Sequence, residues 1–442
     1  MRRSANQYLK NIPGTAWSPI VGNLPQLLPD PLPYVQCLQK IHGNVFYARF
    51  ELNRKSVFML GPELTELVLM NRQEMFSNEL GYLGQSKYLG EGGVMFQDGA
   101  RHKTLRRGLN TAFKPRRLES YLDTMNTNIA EYVARWVEVS DVVDINEDLR
   151  HLALNIASNT IAGASLGNDT AHINTNFSGL IAAMAKAGPC LPGTAKWRAL
   201  KQRAWLDDYF RSQISARLKG DGGDLFSNIC RSAVEENLSE DDVVDNMIGM
   251  MAAAFETTAS TLSFMLYALA KHPLWQDRLR AELFGLGTDG EIGYDELSSC
   301  VQTEWFFKEC LRLYTPISFL PRRTIAPVLV EGLEIPSNTS VIVAPNFVHK
   351  MASVYPQPEL FDPERFAPGR AEDKAHACAW VPFSKGAHTC MGMHFARMES
   401  FAFLYQVLGK LRIELIPEMT LSTRHVPIFQ PSGKLPVRLA RL

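Results

Sequence analysis

The sequence predicts a mainly α-helical protein with small β-sheets, an α+β fold, in a single domain over residues 1–442. Helical periodicity runs from about residue 61 to residue 284 and persists to about residue 314, while short β-prone pieces lie before and after it. With 46% hydrophobic and 21% charged residues, the composition is that of a globular protein with a large core. The length alone would allow two or three domains, but no repeat, low-complexity tract or flexible linker divides the chain.

The first part of the chain, about 1–65, is predicted to be rich in β-structure. Within it, VFYAR (45–49) and SVFML (56–60) are expected to pair as strands, with the polar ELNRK between them as the turn. A helical body follows over about 66–315. It is interrupted by two less regular intervals, at 79–98 and 188–197.

The last part of the chain mixes β-prone and irregular segments. TIAPVLV and TSVIVAP are predicted as short strands, and a long irregular stretch rich in Pro, Asp and Glu covers 355–389. Because that stretch is too long for an ordinary connection, we predict a functional loop. A helix over about 391–411 completes a segment of about 355–411, and a β tail covers 412–442.

Charge and cysteine usage exclude several classes of protein. Forty-six basic residues balance forty-six acidic ones, so the net charge favours no nucleic-acid or other polyanionic partner. Seven scattered cysteines, none at C-x-x-C spacing, indicate neither a disulfide framework nor a zinc ribbon. We therefore expect a reducing, cytoplasmic setting. The N-terminus has no continuous apolar run, so neither a signal peptide nor a membrane anchor is predicted.

The most apolar long segment, 247–270, has almost the length of a membrane-spanning helix. Acid and hydroxyl side chains in its middle are costly in lipid, so we predict a buried helix through the protein core. Ser239, followed by Asp242, offers an N-cap for this helix, and His272-Pro273 marks its end.

The stretch FSKGAHTCMG (383–392) places Cys390 directly before the last predicted helix. Backbone N–H groups at a helix N-terminus favour a thiolate over a thiol. Gly386 permits a tight turn, Gly392 lets a bulky group approach the backbone, and Phe383 offers an aromatic wall. Such a site suits an anionic sulfur ligand to iron.

From spacing alone, a cysteine before an apolar helix is usually a buried core residue, and His388 or His394 could also serve as the base for a nucleophilic Cys390. However, the ten residues match the haem-binding loop of the cytochrome P-450 family, F-x-x-G-x-[R/H]-x-C-x-G, at every defined position. The resemblance implies a triangular, helix-rich fold with haem b between a long distal helix and the proximal cysteine loop and helix. It also implies Cys390 as the axial metal ligand, with Phe383, His388 and Gly392 as further cofactor-binding residues.

A second landmark is KECLR, where Glu309 and Arg312 lie three residues apart on one face of a helix. Taken alone, this spacing is typical of a solvated ion pair. In the family it forms a buried network with an arginine from the loop before the cysteine, and Arg365 in FDPERF stands at the matching place. The role implied is structural.

The helix start DGARHKTLRRGLNTAF (98–113) is basic, and a solvated positive face is the ordinary explanation. The family's W-x-x-x-R pattern falls on His102 and Arg106, which can both bind a haem propionate. Arg322 is the further propionate ligand expected, with Arg323 as an adjacent rival. His388 stands where arginine is commoner in the family, which would make that contact depend on pH.

In the long helix, AAFETTAS (253–260) resembles the family's oxygen-activation motif, although Ala254 stands where glycine is usual. Glu256 and Thr257 fill its acid and alcohol positions as catalytic residues. The implied roles are proton relay by Glu256 and a hydrogen bond from Thr257 to bound oxygen. A mid-helix threonine can bond back to a carbonyl and open a groove beside the iron. Without the cysteine loop, paired polar residues inside a helix bundle would explain this pattern.

The resemblance implies a monooxygenase that takes two electrons from a partner, cleaves O2 and inserts one oxygen atom into a lipophilic small molecule. Hydroxylation and epoxidation are both open, as are terpenoid, steroid, retinoid, fatty-acid and polyketide-like substrates. LPGTAKWRALKQR (191–203) is somewhat similar to retinoid- and sterol-oxidising members. The residues expected to contact substrate are mostly apolar or aromatic, and about half of them equally suit plain core: Tyr82, Leu83, Met95, Phe96, Leu191, Ala253, Ile317, Phe319, Ile428 and Phe429.

The chain resembles soluble bacterial members, which receive electrons from a ferredoxin and ferredoxin reductase. A basic proximal face for an acidic iron–sulfur protein is expected from Lys103, Arg107, Lys114, Arg116, Arg117 and Lys385. We expect a monomer without a membrane span.

Two other functions remain possible from the sequence. A haem-thiolate peroxygenase, isomerase or dehydratase would bypass oxygen activation, but such enzymes tend to lose the pair that Glu256 and Thr257 form. A non-catalytic haem-binding sensor or electron carrier would need neither Thr257 nor a large apolar pocket.

Overall fold

Helices make up most of the protein, as the periodicity predicts. The computed structural model describes residues 9, 11–15, 22–23, 26, 30–51, 54–139, 141–163, 168–184, 190–220, 224–287, 291–417, 419–425 and 427–442. Within these ranges the helices are α1 (Pro31–His42), α2 (Pro62–Met70), α3 (Leu83–Leu89), α4 (Gly99–Asn110), α5 (Pro115–Val139), α6 (Ile145–Thr160), α7 (Asn168–Met184), α8 (Ala195–Lys219), α9 (Leu225–Glu235), α10 (Glu240–Lys271), α11 (Pro273–Phe284), α12 (Val301–Leu313), α13 (Pro345–Val348) and α14 (Met393–Lys410).

Helix α10 begins and ends where its sequence predicts. The Oγ of Ser239 accepts the N–H of Asp242 at 3.2 Å, and the Asp242 carboxylate accepts the N–H of Ser239 at 2.9 Å, which completes a capping box. The helix runs for 32 residues, and Pro273 follows its last residue by two positions. Most of its side chains are buried, so the predicted core helix is confirmed. In the part of the chain that the structure describes, no helix is long and apolar enough to cross a membrane.

The strands are short and form small sheets. They are β1 (Gly14–Thr15), β2 (Val45–Glu51), β3 (Arg54–Met59), β4 (Phe76–Ser77), β5 (Val142–Asp144), β6 (Leu320–Thr324), β7 (Val328–Val330), β8 (Leu333–Ile335), β9 (Ser340–Val343), β10 (Leu411–Leu415), β11 (Thr423–Arg424), β12 (Gln430–Pro431) and β13 (Pro436–Arg441). One sheet has the order β1-β2-β3-β9-β6-β4, and a second has the order β10-β13-β5. Two further pairs are β7 with β8 and β11 with β12.

The predicted strand pair near the N-terminus is confirmed. Strands β2 and β3 run antiparallel, with Val45 opposite Met59 and Tyr47 opposite Val57. Residues 52–53 of the predicted turn lie outside the described residues.

The chain divides into two compact units, each assembled from separate segments. Unit 1 comprises the described residues of Met1–Leu83, Lys308–Cys390 and Thr423–Ser432, and it contains the six-stranded sheet. Unit 2 comprises those of Gly84–Phe307, Met391–Ser422 and Gly433–Leu442, and it contains the sheet of β10, β13 and β5.

In unit 1, both faces of the six-stranded sheet are covered by apolar side chains. Alternate residues of a strand point to opposite faces, so Val57 and Phe58 of β3 enter different hydrophobic clusters. Helix α2 packs on the Val57 face through Leu64, Val68 and Leu69. Helix α1 packs on the Phe58 face through Leu32, Val35 and Leu38.

In unit 2, the core is formed by helix pairs. Helix α10 packs along α6, α7 packs along α8, and α14 packs along α5. In the last pair, the buried ring of Trp136 meets Phe403 edge-on, with 6.2 Å between ring centroids. These contacts bury α10 and α14 on most sides.

Some elements differ from the sequence prediction. Helix α1 was not predicted, although Asp30 caps it by accepting the N–H of Leu32 at 3.0 Å. The interval 79–98 contains α3 and a 3₁₀ turn at Val94–Phe96, so it is more regular than expected. Of the predicted break at 188–197, residues 188–189 lie outside the described residues, and α8 already begins at Ala195.

The irregular stretch 355–389 is confirmed, because it contains 3₁₀ turns but neither an α-helix nor a strand in the structure, which describes all of it. Helix α14 then starts at Met393, two residues later than predicted.

Candidate active site

The cysteine loop belongs to unit 1 and is closed by a backbone hydrogen bond between its ends. The N–H of Cys390 donates to the carbonyl of Phe383 at 2.8 Å, and the Oγ1 of Thr389 donates to the carbonyl of Gly386 at 2.8 Å. Cys390 is exposed. By contrast, Cys378 is buried in the same stretch, and burial raises the pKa of its thiol to about 11. Cys390 is therefore the sulfur of this stretch that a ligand can reach.

Gly386 is required by the path of the loop. Its φ is +71°, and a Cβ atom at this position would lie 2.3 Å from the carbonyl oxygen of Leu69. The loop thus packs against the C-terminal end of α2 more closely than any side chain would allow. Gly392 has a φ of −81°, which any residue can adopt. For Gly392, the close approach of a bulky group remains the predicted reason.

The structure brings Glu309, Arg312 and Arg365 together in unit 1. The Nε and Nη2 of Arg312 donate to Glu309 at 2.7 and 2.8 Å, and the Nε of Arg365 lies 3.4 Å from its Oε1. All three residues are at most 1% exposed. A buried carboxylate between two arginines is compensated by charge and by hydrogen bonds.

The remaining N–H groups of these arginines bind backbone carbonyls. Arg312 donates to the carbonyls of His349, Pro358 and Leu360 at 2.7–3.1 Å, and Arg365 to those of Pro356 and Gln357 at 2.5 and 2.7 Å. The side chains of Arg312 and Arg365 thereby fix the main chain of residues 349–360, which belongs to no α-helix or strand.

His349 connects this network to the start of the cysteine loop. The N–H of Val381 donates to its Nε2 at 2.9 Å, so the ring hydrogen resides on Nδ1 and points to Thr315 Oγ1 at 2.8 Å. The Thr315 hydroxyl in turn donates to the carbonyl of Leu311 at 2.7 Å. Burial, reinforced by Arg312, lowers the pKa of His349 to about 3, so the ring is neutral. No sequence motif pointed to this residue.

A second connection from α12 to the loop runs through Trp380. Its Nε1 donates to the carbonyl of Lys308 at 3.1 Å, and its ring meets Phe383 at 5.9 Å between centroids. The aromatic wall predicted at Phe383 is therefore backed by a second ring.

Two predicted propionate ligands lie in unit 1. Arg322 of β6 is 4% exposed and bonds to the Tyr82 hydroxyl, whereas the neighbouring Arg323 donates to Asn338 at 3.1 Å. Burial raises the pKa of Tyr82, and Arg322 opposes that rise. His388 is half-buried at the end of the 3₁₀ turn Gly386–His388. Of the two adjacent arginines, Arg322 has the buried position that a propionate ligand requires.

The other two lie in unit 2, on one face of α4. His102 and Arg106 are four residues apart, so their side chains are neighbours on the helix surface. His102 is 3% exposed and Arg106 is half-buried. The next pair along the same helix, Lys103 and Arg107, is exposed.

Helix α10 has an accessible stripe in an otherwise buried element. Met250, Ala253, Ala254 and Thr257 recur at helical spacing and are half-buried or exposed, while most of their neighbours are buried. The hydroxyl of Thr257 donates to the carbonyl of Ala253 at 2.7 Å, and Thr261 donates to the carbonyl of Thr257 at 2.8 Å. Both threonines thus bond back to a carbonyl one turn earlier, as the sequence predicts for Thr257.

Glu256 lies on the adjacent face and is held by Arg150 of α6. The Nη2 and Nη1 of Arg150 donate to the two carboxylate oxygens at 2.6 and 3.1 Å. The Glu256 side chain is 2% exposed and that of Arg150 is 30% exposed. Arg150 also lies over the Phe255 ring, 5.2 Å from its centroid. Sequence reasoning missed Arg150, because no spacing relates it to a residue 106 positions away.

The residues predicted to contact substrate divide between the units. Unit 1 contains Tyr82, Leu83, Ile317, Phe319, Ile428 and Phe429, and unit 2 contains Met95, Phe96, Leu191 and Ala253.

Several of these residues also pack as core. Phe96 is 1% exposed, Phe319 meets the buried Phe58 ring edge-on at 6.1 Å, and Phe429 stacks on His425 at 4.2 Å. Leu83 and Leu191 are at least half exposed.

The residues present suit haem. Cys390 offers one accessible sulfur, and among the described residues no group of three His, Cys, Asp or Glu side chains can hold a metal ion. A metal at Cys390 thus needs most of its ligands from elsewhere, as in a porphyrin. In unit 1 Arg322, and in unit 2 His102 and Arg106, have side chains that can donate hydrogen bonds to a carboxylate.

Comparisons with known proteins agree with this chemistry. The family model "Cytochrome P450" matches residues 12–435. The chain is 31% identical to putative cytochrome P450 136 of Mycobacterium tuberculosis, over 92% of this chain and 84% of that protein. It is 27% identical to pentalenene oxygenase of Streptomyces avermitilis, over 90% of each. The retinoic acid-bound structure of cyanobacterial CYP120A1 superposes with a TM-score of 0.88 and 25% identity, covering 98% of this chain and 99% of that one.

The ten-residue cysteine loop, the buried Glu309–Arg312–Arg365 network and a family match over nearly the whole chain agree with one another. The chain belongs to the cytochrome P450 family of haem-thiolate monooxygenases.

Proposed function

We propose that this cytochrome P450 hydroxylates or epoxidises a lipophilic small molecule of the retinoid or terpenoid class, with Cys390 as the axial ligand of haem iron. The observation that carries the proposal is the accessible Cys390 thiol in a loop closed by its own backbone and braced by Glu309, Arg312 and Arg365. When bound, thiolate-ligated haem supplies the reduction and cleavage of O2.

The proposed roles of the protein residues follow from their positions. Thr257 holds a hydroxyl on the accessible stripe of α10; its hydrogen is donated to the carbonyl of Ala253, and rotation of the hydroxyl would direct it to O2 instead. Glu256 relays protons from solvent, and its pairing with Arg150 leads towards the surface. His102, Arg106, Arg322 and His388 bind the propionates. One family model spans 12–435, which supports the prediction of one catalytic domain.

The substrate class is inferred from the lining and from the named relatives. Met95, Ala253 and Ile317 offer apolar surface with partial exposure. One relative is a pentalenene oxygenase, and one structural neighbour holds retinoic acid. Both compounds are hydrocarbon skeletons with few polar groups, which an apolar pocket can bind.

The first test is the optical spectrum of the dithionite-reduced protein under carbon monoxide, compared with Cys390→Ser. We expect a Soret band strongly red-shifted from that of histidine-ligated haem in the parent protein. The shift should disappear in the variant, because a hydroxyl does not supply the anionic sulfur.

Cys378→Ser is the matched control, since it makes the same chemical change at a buried position of the same stretch. It should retain the red shift. If Cys390→Ser keeps the red-shifted Soret band, Cys390 is not the ligand. The same holds if Cys378→Ser is the variant that loses the band and Cys390→Ser is not.

We also propose that electrons arrive from an acidic ferredoxin-type protein on a basic surface of α4 and the start of α5. Lys103, Arg107, Lys114 and Arg117 are exposed, and Arg107 is paired with Glu236 at 3.0 Å. Lys385 is half-buried, and the side chain of Arg116 lies outside the described residues. Assembly as a monomer and a cytoplasmic location stay predictions from the sequence.

Charge reversal tests this surface. In Lys103→Glu/Lys114→Glu, we expect the second-order rate of first-electron transfer from a [2Fe–2S] ferredoxin to fall by about tenfold at low salt, because electrostatic steering is lost. Raising the ionic strength should reduce the difference in electron-transfer rate between the parent protein and the double variant. Lys201→Glu/Lys219→Glu, an equal charge change at two exposed positions of α8, should leave the rate within about twofold. Equal rates for all three proteins would place the docking surface elsewhere.

A further inference from the structure

Two consecutive side chains of α10 hold the segment 89–96. The Oδ2 of Asp245 accepts the N–H of Gly92 at 2.7 Å, and the Oδ1 of Asn246 accepts the N–H of Val94 at 2.8 Å. Asn246 is 3% exposed, and its Nδ2 donates to the carbonyl of Asp242 at 2.6 Å, so its amide orientation is fixed. The segment ends with Met95 and Phe96.

Glycines allow the segment to lie this close to the helix. Gly90 has a φ of +109°, and a Cβ there would lie 2.6 Å from Asp245. A Cβ at Gly92 would lie 3.0 Å from the Asp245 carboxylate, and one at Gly249 would lie 3.7 Å from the carbonyl of Leu89. The backbone of the segment therefore packs directly on α10.

Asp245 binds a second element through its other oxygen. Arg203 of α8 donates to the Oδ1 of Asp245 and, at 2.9 Å, to Asp207. The side chains of Arg203 and Asp245 are 13% and 15% exposed. Burial raises the pKa of Asp245, while the Gly92 amide and Arg203 oppose the rise. One carboxylate thus connects the segment 89–96, α10 and α8.

We propose that Asp245 and Asn246 are positioning residues that determine which substrates this enzyme accepts. They fix where Met95 and Phe96 lie along α10 without touching the substrate themselves. The proposal rests on the proposed function, in which Met95 and Phe96 contact the substrate.

The position of the pair predicts selectivity rather than rate. Asp245 precedes Ala253 by eight residues, or about 12 Å of helix, and Thr257 lies a further turn away. A shift of the segment would move Met95 and Phe96, and it would leave the accessible stripe of α10 around Ala253 and Thr257 unchanged. Such a shift should change the affinity for long ligands and leave the affinity for short ligands unchanged.

Hydrogen exchange tests the first half of the proposal. In haem-loaded Asn246→Leu, which keeps the size of the side chain but removes the acceptor, amides of 90–96 should exchange at least about tenfold faster. Asp245→Leu removes both the acceptor for Gly92 and the charge opposite Arg203, so it should speed exchange of 90–96 and also of the amides around Arg203 in α8. Arg211→Met is the control, because the ion pairs of Arg211 are with Asp207, Glu240 and Asp241, none of which belongs to the segment.

Ligand affinity tests the second half. The probes are 1-methylimidazole and 1-dodecylimidazole, which share the iron-binding ring and differ in tail length. In Asn246→Leu, the ratio of their dissociation constants should change by about fivefold or more, with 1-methylimidazole itself within about twofold of the parent protein. Arg211→Met should keep the parent ratio.

Two outcomes would overturn the inference. Unchanged exchange in both variants would show that Asp245 and Asn246 do not hold the segment. Faster exchange with an unchanged ratio would show that the segment does not shape the pocket. A parent protein that gives no imidazole spectrum would contradict the haem site instead, and the exchange measurement would still decide whether the pair positions the segment.

Discussion

Glu256 is a carboxylate with almost no exposed surface, and Arg150 balances its charge. Removing such a group from water is costly unless a cation and hydrogen bonds compensate, and the guanidinium supplies both through two N–H donors. Because Arg150 is 30% exposed, the pair reaches from the core of unit 2 towards solvent. We expect protons for Glu256 to enter beside this arginine.

The variant Arg150→Met tests that pairing. It should lower the free energy of unfolding by about 2–4 kcal/mol, because a buried carboxylate loses its partner. It should also lower the amount of product formed per electron consumed, because Glu256 is no longer held in place. Chemical denaturation and product stoichiometry measure the two effects.

The double variant Arg150→Met/Glu256→Gln provides the control. If the pair acts as described, it should be more stable than Arg150→Met, with a coupling free energy of about 1–3 kcal/mol. Additive losses would show that the two side chains act independently.

At this scale, the sequence predicts residues that stand in short motifs and misses their distant partners. Cys390, Glu309 and Arg312 were found because neighbours within a few positions identify them. Arg150 and His349 were not, because their partners are brought close only by folding: 106 positions separate Arg150 from Glu256, and 32 separate His349 from Val381.

Among the elements, the cysteine loop depends on how closely it packs against α2. Its backbone has a left-handed residue at Gly386, and the contact there is with main-chain atoms of Leu69 and Met70. Main-chain atoms at a helix end cannot move aside as a flexible side chain can. The position of Cys390 is therefore linked to the end of α2.

Gly386→Ala should disturb both stability and haem ligation. The left-handed conformation costs about 1 kcal/mol for alanine, and displacing the loop from Leu69 adds about 2 kcal/mol or more. We expect a lower melting temperature, weaker haem retention and partial loss of the red-shifted Soret band.

Gly332→Ala separates the cost of the left-handed conformation from the cost of displacing the loop from Leu69. Gly332 has a φ of +76°, but a Cβ there meets nothing within 4 Å. It should cost only about 1 kcal/mol and leave the spectrum unchanged. Equal effects of the two substitutions would show that packing against α2 does not matter.

Elements with strong local signals were predicted well. Helix α10 has a capping serine and a terminal His-Pro, and strands β2 and β3 are apolar runs around a polar turn. Helix α1 was missed because its surroundings are rich in proline, although proline at the first position of a helix is favourable. Strand β5 has three residues and depends on a partner near the C-terminus, which local sequence does not indicate.

For the molecule as a whole, stability depends on a buried acid in α14. Glu399 is 2% exposed, and its Oε1 has no hydrogen-bond partner among the residues that the structure describes. Burial raises the pKa of this carboxyl to about 8 from its ordinary 4.5. The folded protein therefore keeps Glu399 protonated at neutral pH, while the unfolded chain ionises it.

This difference gives stability a pH dependence of known sign. Between pH 4.5 and about pH 8 the folded state binds one proton more than the unfolded state, so the free energy of unfolding from this group falls as pH rises. The slope is at most about 1.4 kcal/mol per pH unit. Glu399→Gln should remove that slope and stabilise the protein at pH 8, as measured by urea unfolding over this range.

Glu138→Gln, at an exposed position of α5, is the control and should leave the slope unchanged. A parent-like slope in Glu399→Gln would assign the pH dependence to other groups.

The fold class was predictable because composition and periodicity extend over hundreds of residues and tolerate local errors. The division into two compact units was not, since each unit collects segments that are far apart in the chain. A single catalytic domain stays a prediction.

The position of β13 has a consequence for how the protein is made. It is the central strand of its sheet, with β10 on one side and β5 on the other, and it covers Pro436–Arg441. Strand β5 is synthesised about 290 residues before its partner β13. At roughly 5–20 residues per second of translation, β5 therefore stays unpaired until β13 has been made. The sheet of unit 2 is therefore complete only after Pro436–Arg441 has left the ribosome, and deletion of Pro436–Arg441 would leave β5 and β10 without the strand that joins them.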